Sequence, residues 1–311
     1  MDKTGLIWKF KVNRELAQGE KSGRLLVGEA SVPNPSSQLT AIRMNSTYLE
    51  CVDKFYFGKG DITATGIFVF VGLTIFLSLG IREIFAYPTV PEYEQGEALF
   101  VIIAIPVTVI PAMFFFWFTG LGKELFRYTH CPVRFNRKTR MVHVFRLNGT
   151  VMSEAWDKLY FVIGVGEEFE TREVRFHRMS EDGKTVLETH ALPSIACWDR
   201  PRSQWEFVRR YMEEGPAAVL PHIDHVLDAH IGQPGKRESF GHGYWIFSVN
   251  CSPLIFYVFF PMNIAYVIGR WIAMRTCKHP VWPAEIEAVC QVEPDDPYQV
   301  DANHLPEGVK P

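Results

Sequence analysis

Two long uncharged stretches dominate the pattern of polar and apolar positions. They cover Ile62–Ile81 and Ala98–Leu121, and neither contains Asp, Glu, Lys or Arg. A helix needs about 20 apolar residues to cross about 30 Å of hydrocarbon. The stretches therefore predict two transmembrane helices, the second kinked at Pro106 or Pro111. The alternative, a pair of buried core helices, is disfavoured because uncharged runs of this length rarely lie one loop apart in a soluble core.

Alternation between residues 131 and 215 predicts a strand-rich unit. Val133–Phe135 and Met141–Leu147 are typical of strands, and Asn148-Gly149 favours a tight hairpin turn. Further strands are predicted at Leu159–Val165, Glu173–Arg178 and Thr185–Leu192. An amphipathic helix is predicted at Pro201–Met212, with its apolar residues at helical spacing. This order of elements resembles a small pleckstrin-homology-like barrel with a C-terminal helix, a likeness of architecture that fixes no function.

A third apolar region, Tyr244–Met274, is interrupted by Pro253, Pro261 and two asparagines. Basic residues flank it on both sides, whereas a simple span would place one basic flank outside the cell. Two short helices that meet near Pro261 and return to the same side would keep both basic flanks in the cytoplasm. We therefore expect a re-entrant or interfacial helix pair, with a third full span as the alternative. Asn250 and Asn263 are expected to bond between packed helices rather than to bind an ion.

The expected fold class is an α+β membrane protein with a transmembrane hairpin, a strand-rich cytoplasmic domain and the third apolar pair. Leu6–Val12 alternates like a strand within the N-terminal segment. The predicted divisions are an N-terminal cytoplasmic segment (1–61), the transmembrane hairpin (62–121), the strand-rich domain (131–215), a polar connection (216–243), the third apolar region (244–274) and a cytoplasmic tail (275–311).

The charges beside the two spans predict their orientation. The loop Ala86–Glu97 contains three glutamates and no Lys or Arg, whereas Lys54 and Lys59 precede the first span. Several cations follow the second span, beginning with Lys123 and Arg127. Because cytoplasmic loops carry the excess of Lys and Arg, both ends of the hairpin should face the cytoplasm. We expect a multi-pass membrane protein with its N-terminus and most of its mass in the cytoplasm.

Four of the cations after the second span form a cluster: Arg134, Arg137, Lys138 and Arg140. We attribute this cluster first to the determination of topology. A functional reading is contact with anionic lipid, where each cation near the surface contributes ~1 kcal/mol. Both roles are compatible.

Composition narrows the classes of function. The 311 residues carry a net charge of −3, and this overall charge gives no indication of nucleic-acid binding. The mean hydropathy of −0.01 is too low for a polytopic transporter but suits a few spans joined to a soluble part. The six cysteines are scattered, as in a protein with reduced thiols. No apolar stretch follows Met1–Gly5, so we expect no cleavable signal peptide.

The sequence offers little catalytic machinery. Three histidines and two aspartates lie within His222–His230, but the H-E-x-x-H arrangement is absent, and a solvated face over apolar residues is favoured above a metal site. Gly164-Val165-Gly166 precedes two glutamates that would repel phosphate, which favours a hairpin turn. There is no G-x-S-x-G elbow, Walker A loop or C-x-x-C pair. We therefore expect no enzyme, no cofactor, and no catalytic or metal-binding residue; a lipid enzyme using the histidine cluster is the least favoured hypothesis.

Four segments carry a resemblance to a known family. They are Asn45–Glu50 before the hairpin, Gly269–Met274, Pro280–Ile286 and the tail Asp296–Tyr298, and Trp282-Pro283 is the most specific part. With the two-span hairpin and the strand-rich middle, they resemble uncharacterised proteobacterial inner-membrane proteins that are often encoded near type VI secretion effectors. The resemblance covers most of the chain and supplies no catalytic residues.

The resemblance implies an immunity or accessory protein of the bacterial inner membrane that binds a cognate secreted toxin. Its expected partners are membrane lipid and that toxin, with no nucleic acid. The alternative is a membrane-tethered lipid or signal sensor, in which the strand-rich domain reads anionic headgroups through its basic face.

Overall fold

The computed structural model describes residues 4–89, 91–92, 95–165, 172–193, 200–223, 225–229, 237–249, 253–306 and 309. Its strands are β1 (Arg14–Glu15), β2 (Arg24–Leu25), β3 (Ala41–Met44), β4 (Tyr48–Cys51), β5 (Val133–Asn136), β6 (Met141–Phe145), β7 (Val151–Ala155), β8 (Leu159–Val165), β9 (Arg172–Met179) and β10 (Thr185–Ala191). Its helices are α1 (Gln18–Ser22), α2 (Asp61–Ala86), α3 (Gln95–Phe116), α4 (Gly122–Glu124), α5 (Pro201–Glu213), α6 (Phe240–Val249), α7 (Pro253–Val258), α8 (Phe260–Thr276) and α9 (Ala284–Val289).

The strands form two five-stranded antiparallel sheets. The first has the order β1-β10-β9-β8-β2 and the second β3-β4-β5-β6-β7. Strands β4 and β5 are neighbours in the second sheet, with Leu49 opposite Phe135. Helices α2 and α3 are therefore inserted into the connection between two paired strands, and both ends of the insertion lie at the same end of this strand pair, where Cys51 is opposite Val133. The expected α+β class is confirmed at this level.

A shared apolar core lies between the two sheets and is closed by α5. Trp156 and Trp205 stack with ring centroids 5.5 Å apart, and Phe161 lies 4.6 Å from each of them. The first sheet contributes Phe176 and the second Phe135, both without exposed surface. Because α5 is amphipathic, its apolar face fills this core while its arginines face outward or pair with acids.

Helices α2 and α3, the helical hairpin, are both long and apolar enough to cross a membrane. Within the most apolar stretch of each, only 17% and 6% of residues are buried, so the rest of the described chain does not cover them. A 26-residue helix such as α2 is about 39 Å long at about 1.5 Å per residue. The helices contact each other where Gly66 faces Leu121 and Gly80 faces Ile105. Helix α3 continues into a π-helical turn, Trp117–Leu121.

Helices α6 to α8 occupy the third apolar region. Helix α8 packs against α2 so closely that a Cβ on Gly269 would lie 2.6 Å from the carbonyl oxygen of Gly60. Arg237, just before α6, donates to the carbonyl of Cys277, just after α8, at 2.9 Å. The region therefore starts and finishes at one place, beside the base of the hairpin.

The N-terminal segment and the tail differ from the sequence predictions. Leu6–Val12 forms a turn and irregular chain rather than a strand, whereas residues 14–51 supply four strands to the two sheets. The strand-rich unit is thus not confined to 131–215. In the tail, α9 packs on the second sheet, and Val300 exchanges two backbone hydrogen bonds with Met44.

Candidate functional site at the base of the hairpin

The two ends of the hairpin are joined by one buried carboxylate. Glu124, just after the π-helical turn, accepts hydrogen bonds from the backbone N–H of Gly60 (2.8 Å) and from the N–H and hydroxyl of Thr63 (2.7 and 2.6 Å). The first N–H groups of a helix lack partners within the helix, and a negative charge there is favourable. Glu124 therefore fixes the start of α2 against the π-helical turn that follows α3.

Lys59, just before α2, contacts the segment between Glu124 and β5. The Lys59 amine donates to the carbonyl oxygens of Glu124 (3.0 Å) and Tyr128 (2.8 Å). Nearby, the buried carboxylate of Asp53 accepts from the N–H of Cys131 (2.7 Å) and of Phe55 (3.1 Å). Burial raises the pKa of Asp53 above its usual value, against the lowering effect of these hydrogen bonds.

A buried ion pair attaches α8 to this base. The Arg270 guanidinium donates to both oxygens of Glu238 (2.7 and 2.9 Å) and to the carbonyl of Tyr56 (2.6 Å), and it lies 4.8 Å from the centre of the Tyr56 ring. Both side chains of this ion pair are only 3% exposed, so the charge of Arg270 is compensated by Glu238 rather than by water. Bidentate pairing of this kind fixes orientation as well as charge.

His130 is a fully buried histidine of this region. Burial lowers its pKa to about 3, and the neighbouring His279, Lys59 and Arg43 act in the same direction. One ring nitrogen lies 3.0 Å from the Thr129 hydroxyl. The imidazole is therefore uncharged at neutral pH and is part of the packing.

The structure corrects the assignment of Arg134 as a lipid contact. Its side chain has no exposed surface and bonds to Glu50 (3.0 Å) and Glu287 (3.2 Å). The guanidinium lies between the rings of Tyr48 (4.4 Å) and Trp282 (4.7 Å). Trp282 in turn donates to Glu50 at 3.0 Å. An arginine enclosed in this way fixes the tail to the second sheet and does not reach a lipid surface.

The other three cations of the predicted cluster are more exposed. Lys138 pairs with Glu293, and Arg140 pairs with Asp157 (2.6 Å) and Glu213 (3.0 Å). The guanidinium of Arg137 packs beside Gly215. Contact of these three side chains with anionic lipid stays a prediction, and two of the three charges are already balanced by acids.

The four residues predicted to bound the spans divide between the two ends of the hairpin. Ile62 and Leu121 are buried at its base, whereas Ile81 is exposed on the distal part of α2 and Ala98 lies in the first turn of α3.

The histidine cluster does not form a metal centre in the part of the chain that the structure describes. His222 lies in a short 3₁₀ turn, and the His225 ring is 5.7 Å from that of Trp245. Asp224 and His230 lie outside the described residues, as do Gly166 of the glycine pair and Asn250. Within the described ranges, no group of three or more His, Cys, Asp or Glu residues could hold a metal ion.

Sequence reasoning missed two cavities at the sheets. One, of about 410 Å³, is lined by Phe10, Phe145 and three cations, of which Lys54 pairs with Glu173 (2.9 Å) and Arg146 with Glu188 (2.6 Å). The other, of about 470 Å³, lies between β8, β9 and the start of α5. It is lined by Arg172, Arg200 and Arg202, with no acidic side chain among its described lining residues. Only the second has the charge to attract an anion.

Comparison with known proteins identifies a family for this chain. No curated protein and no solved structure matches the chain. Residues 110–294 match a family of unknown function, DUF6708. The matched segment is more than half of the 311 residues and extends from the second apolar helix through both sheets to the tail. The chain belongs to the DUF6708 family.

Proposed function

We propose that this protein is a non-enzymatic binding protein of the bacterial inner membrane, and that it acts as an immunity or accessory protein for a toxin delivered by type VI secretion. One observation carries the binding role: a two-sheet domain is fixed by buried ion pairs and hydrogen bonds to an exposed apolar hairpin. This attachment would hold the surface of the two-sheet domain at a fixed distance and orientation relative to a bilayer, where a partner protein could bind it. The toxin as partner rests on the family resemblance of the sequence.

The membrane anchoring is supported by the side chains that α2 and α3 leave uncovered. They include Phe76, Phe85, Phe100 and Phe115, each more than half exposed. Exposing so many large apolar groups to water is unfavourable by about 25 cal/mol per Å². A lipid bilayer removes this cost, and the positive-inside bias favours an orientation with the two sheets in the cytoplasm.

The third apolar region is proposed as a re-entrant segment, in which α6 and α7 form the first arm and α8, which begins beside Pro261, forms the second. Its two ends are joined by the hydrogen bond from Arg237 to Cys277, and Arg270 within α8 pairs with Glu238 just before α6. Exposed apolar side chains, among them Leu254, Tyr257 and Met262, lie between these ends. The segment would enter the cytoplasmic leaflet beside α2 and return to the same side.

The two sheets with α5 are proposed as a variant of the pleckstrin-homology-like barrel. Strands β5 to β7, then β8 to β10, and then α5 follow the order expected for such a barrel. The additional strands β1 to β4 extend both sheets, and the hairpin is inserted before β5.

A genetic test addresses the toxin. Deleting this gene in cells that produce or receive the active cognate toxin should stop their growth, and deleting the toxin gene as well should restore it. Supplying the full chain in trans should also restore growth. Normal growth of the single deletion under toxin attack would contradict the immunity role.

A second candidate, a lipid or signal sensor, is favoured by the cavity lined by Arg172, Arg200 and Arg202. The full chain in phosphatidylcholine nanodiscs should bind separate phosphatidylglycerol vesicles, and salt should weaken this binding by screening. Replacing the three arginines with glutamine should abolish it, whereas Arg178→Gln outside the cavity should not. Absence of binding at low salt would remove this candidate.

A further inference from the structure

A groove lies at the base of the hairpin, between the first turns of α2, the π-helical turn and the N-terminal segment. Its volume is about 460 Å³, and Ile7, Trp8, Ile62, Phe115 and Phe116 provide most of its wall. Its described lining contains one carboxylate, Asp61, and one ammonium, Lys123. The groove is thus an apolar slot with one charge of each sign at its border.

Two local features create this groove. The π-helical turn Trp117–Leu121 widens the helix, and Gly120 contributes no side chain where the groove passes. Single π-helical turns inside helices often occur at functional sites. The N-terminal segment closes the third side, because the Lys123 amine donates to the carbonyl of Ile7 at 3.0 Å. This bond uses one of the three N–H donors of the ammonium.

The position of the groove along the hairpin points to the headgroup level of a bilayer. Arg82 and Glu97 border the distal ends of the two uncharged stretches, whereas at the base of the hairpin the nearest charged residues are Asp61 and Lys123. Trp8 lies beside them with 60% of its surface exposed, and tryptophan is enriched where hydrocarbon meets headgroups. The apolar wall extends from here along the helix faces that contact hydrocarbon chains in the proposed membrane state.

We propose that this groove binds a phospholipid with a zwitterionic primary-amine headgroup, of the phosphatidylethanolamine type. Its phosphate would accept from Lys123, its ammonium would donate to Asp61, and an acyl chain would pack on Phe115, Phe116 and Ile62. The inference rests on the proposed membrane insertion. An anionic headgroup would meet the repulsion of Asp61, and a choline headgroup has no N–H to donate, so the pair of charges selects among lipids of equal apolar content.

The test compares three lipids with identical acyl chains on the full chain in neutral detergent, with binding followed by native mass spectrometry. Phosphatidylethanolamine should bind about tenfold more tightly than phosphatidylcholine or phosphatidylglycerol, because a hydrogen bond to a charged group contributes enough free energy for a difference of this size. Asp61→Asn should reduce its affinity to that of phosphatidylcholine. The control Asp182→Asn, in the turn between β9 and β10, should leave the preference unchanged.

A steric variant tests the location without changing charge. Thr65 lines the groove, and Thr74 lies further along α2; both are exposed, and both hydroxyls bond to the carbonyl one turn earlier. Thr65→Trp should fill the groove and weaken binding of all three lipids, whereas Thr74→Trp should not. Equal affinity for the three lipids, or an unchanged preference in Asp61→Asn, would overturn the inference. A chain recovered from the aqueous fraction without detergent would instead overturn the membrane proposal itself.

Discussion

Several buried charges in this protein pair with residues that lie far away in the sequence. Arg134 bonds to Glu50 and Glu287, which are 84 and 153 residues distant. A sequence pattern shows only the neighbouring cations, and these indicated a basic surface after the second span. The burial of Arg134 depends on β4 and α9 meeting β5, which no local pattern contains. Its role therefore had to come from the structure.

Loss of the Arg134 charge should destabilise the fold strongly. Arg134→Met leaves the carboxylate of Glu50 buried without its ionic partner, and breaking a buried pair in this way costs about 3–5 kcal/mol. Lys138→Met removes a cation that is 43% exposed and should cost at most about 1 kcal/mol. Unfolding of the two variants in the same detergent measures the difference, and an equal loss in both would contradict the enclosed state of Arg134.

The stability of the fold should fall on acidification because of His130. Its pKa is about 3 in the folded chain against an ordinary value of 6.5, so the unfolded chain binds more protons between these values. The contribution is fully present above pH 6.5 and is lost as the pH falls towards 3. His130→Gln should flatten this part of the pH profile of unfolding. His304→Gln, at an exposed histidine, is the control, and an unchanged profile in His130→Gln would refute the assignment.

At the scale of elements, the sequence predicted those helices, strands and turns whose formation depends on neighbouring residues. The helices α2 and α3 follow from uncharged runs, and strand β8 has the bounds that alternation predicted. The turn at Asn148-Gly149 follows from the left-handed conformation of Gly149, whose φ is +86°. The missed elements β1 and β2 are only two residues long and exist because distant strands pair with them. Strands of two residues are too short to show the alternation of polar and apolar residues from which a strand is predicted.

The packing of α8 on α2 depends on one helical glycine. A Cβ at Gly269 would lie 2.6 Å from the carbonyl oxygen of Gly60 and 2.7 Å from the N of Ala64, and backbone atoms cannot move aside cheaply. Gly269→Ala should therefore separate the helices and lower the free energy of unfolding by about 1–3 kcal/mol.

Gly72 on α2 provides the matched control for this substitution, because a Cβ there would meet nothing within 4 Å. Gly72→Ala should leave the stability unchanged or slightly raised, since alanine favours helix over glycine. Thermal unfolding in detergent distinguishes the two variants. Equal midpoints would show that α8 does not depend on close approach to α2.

At the scale of the whole molecule, the hairpin is inserted between two strands of the second sheet and is not a separate anchor joined by a linker. Its two ends continue into β4 and β5, which pair directly, and Glu124, Lys59 and Arg270 close the junction. A displacement of α2 relative to the bilayer would thus be transmitted to the second sheet without a flexible linker. Partner binding on the sheets and lipid binding at the hairpin are expected to influence each other for this reason.

The proposed topology predicts a pattern of cysteine labelling in intact cells. In a background with Cys197 and Cys251 replaced by serine, the remaining four cysteines are buried and should not react. Thr89→Cys, at the tip of the hairpin, should react with a membrane-impermeant maleimide added outside. Val281→Cys, at a position 80% exposed beside the sheets, should react only after the membrane is opened. Tyr257→Cys decides the third region, because a re-entrant pair keeps it from the outer reagent, whereas its labelling from outside would mean that the region reaches the far surface.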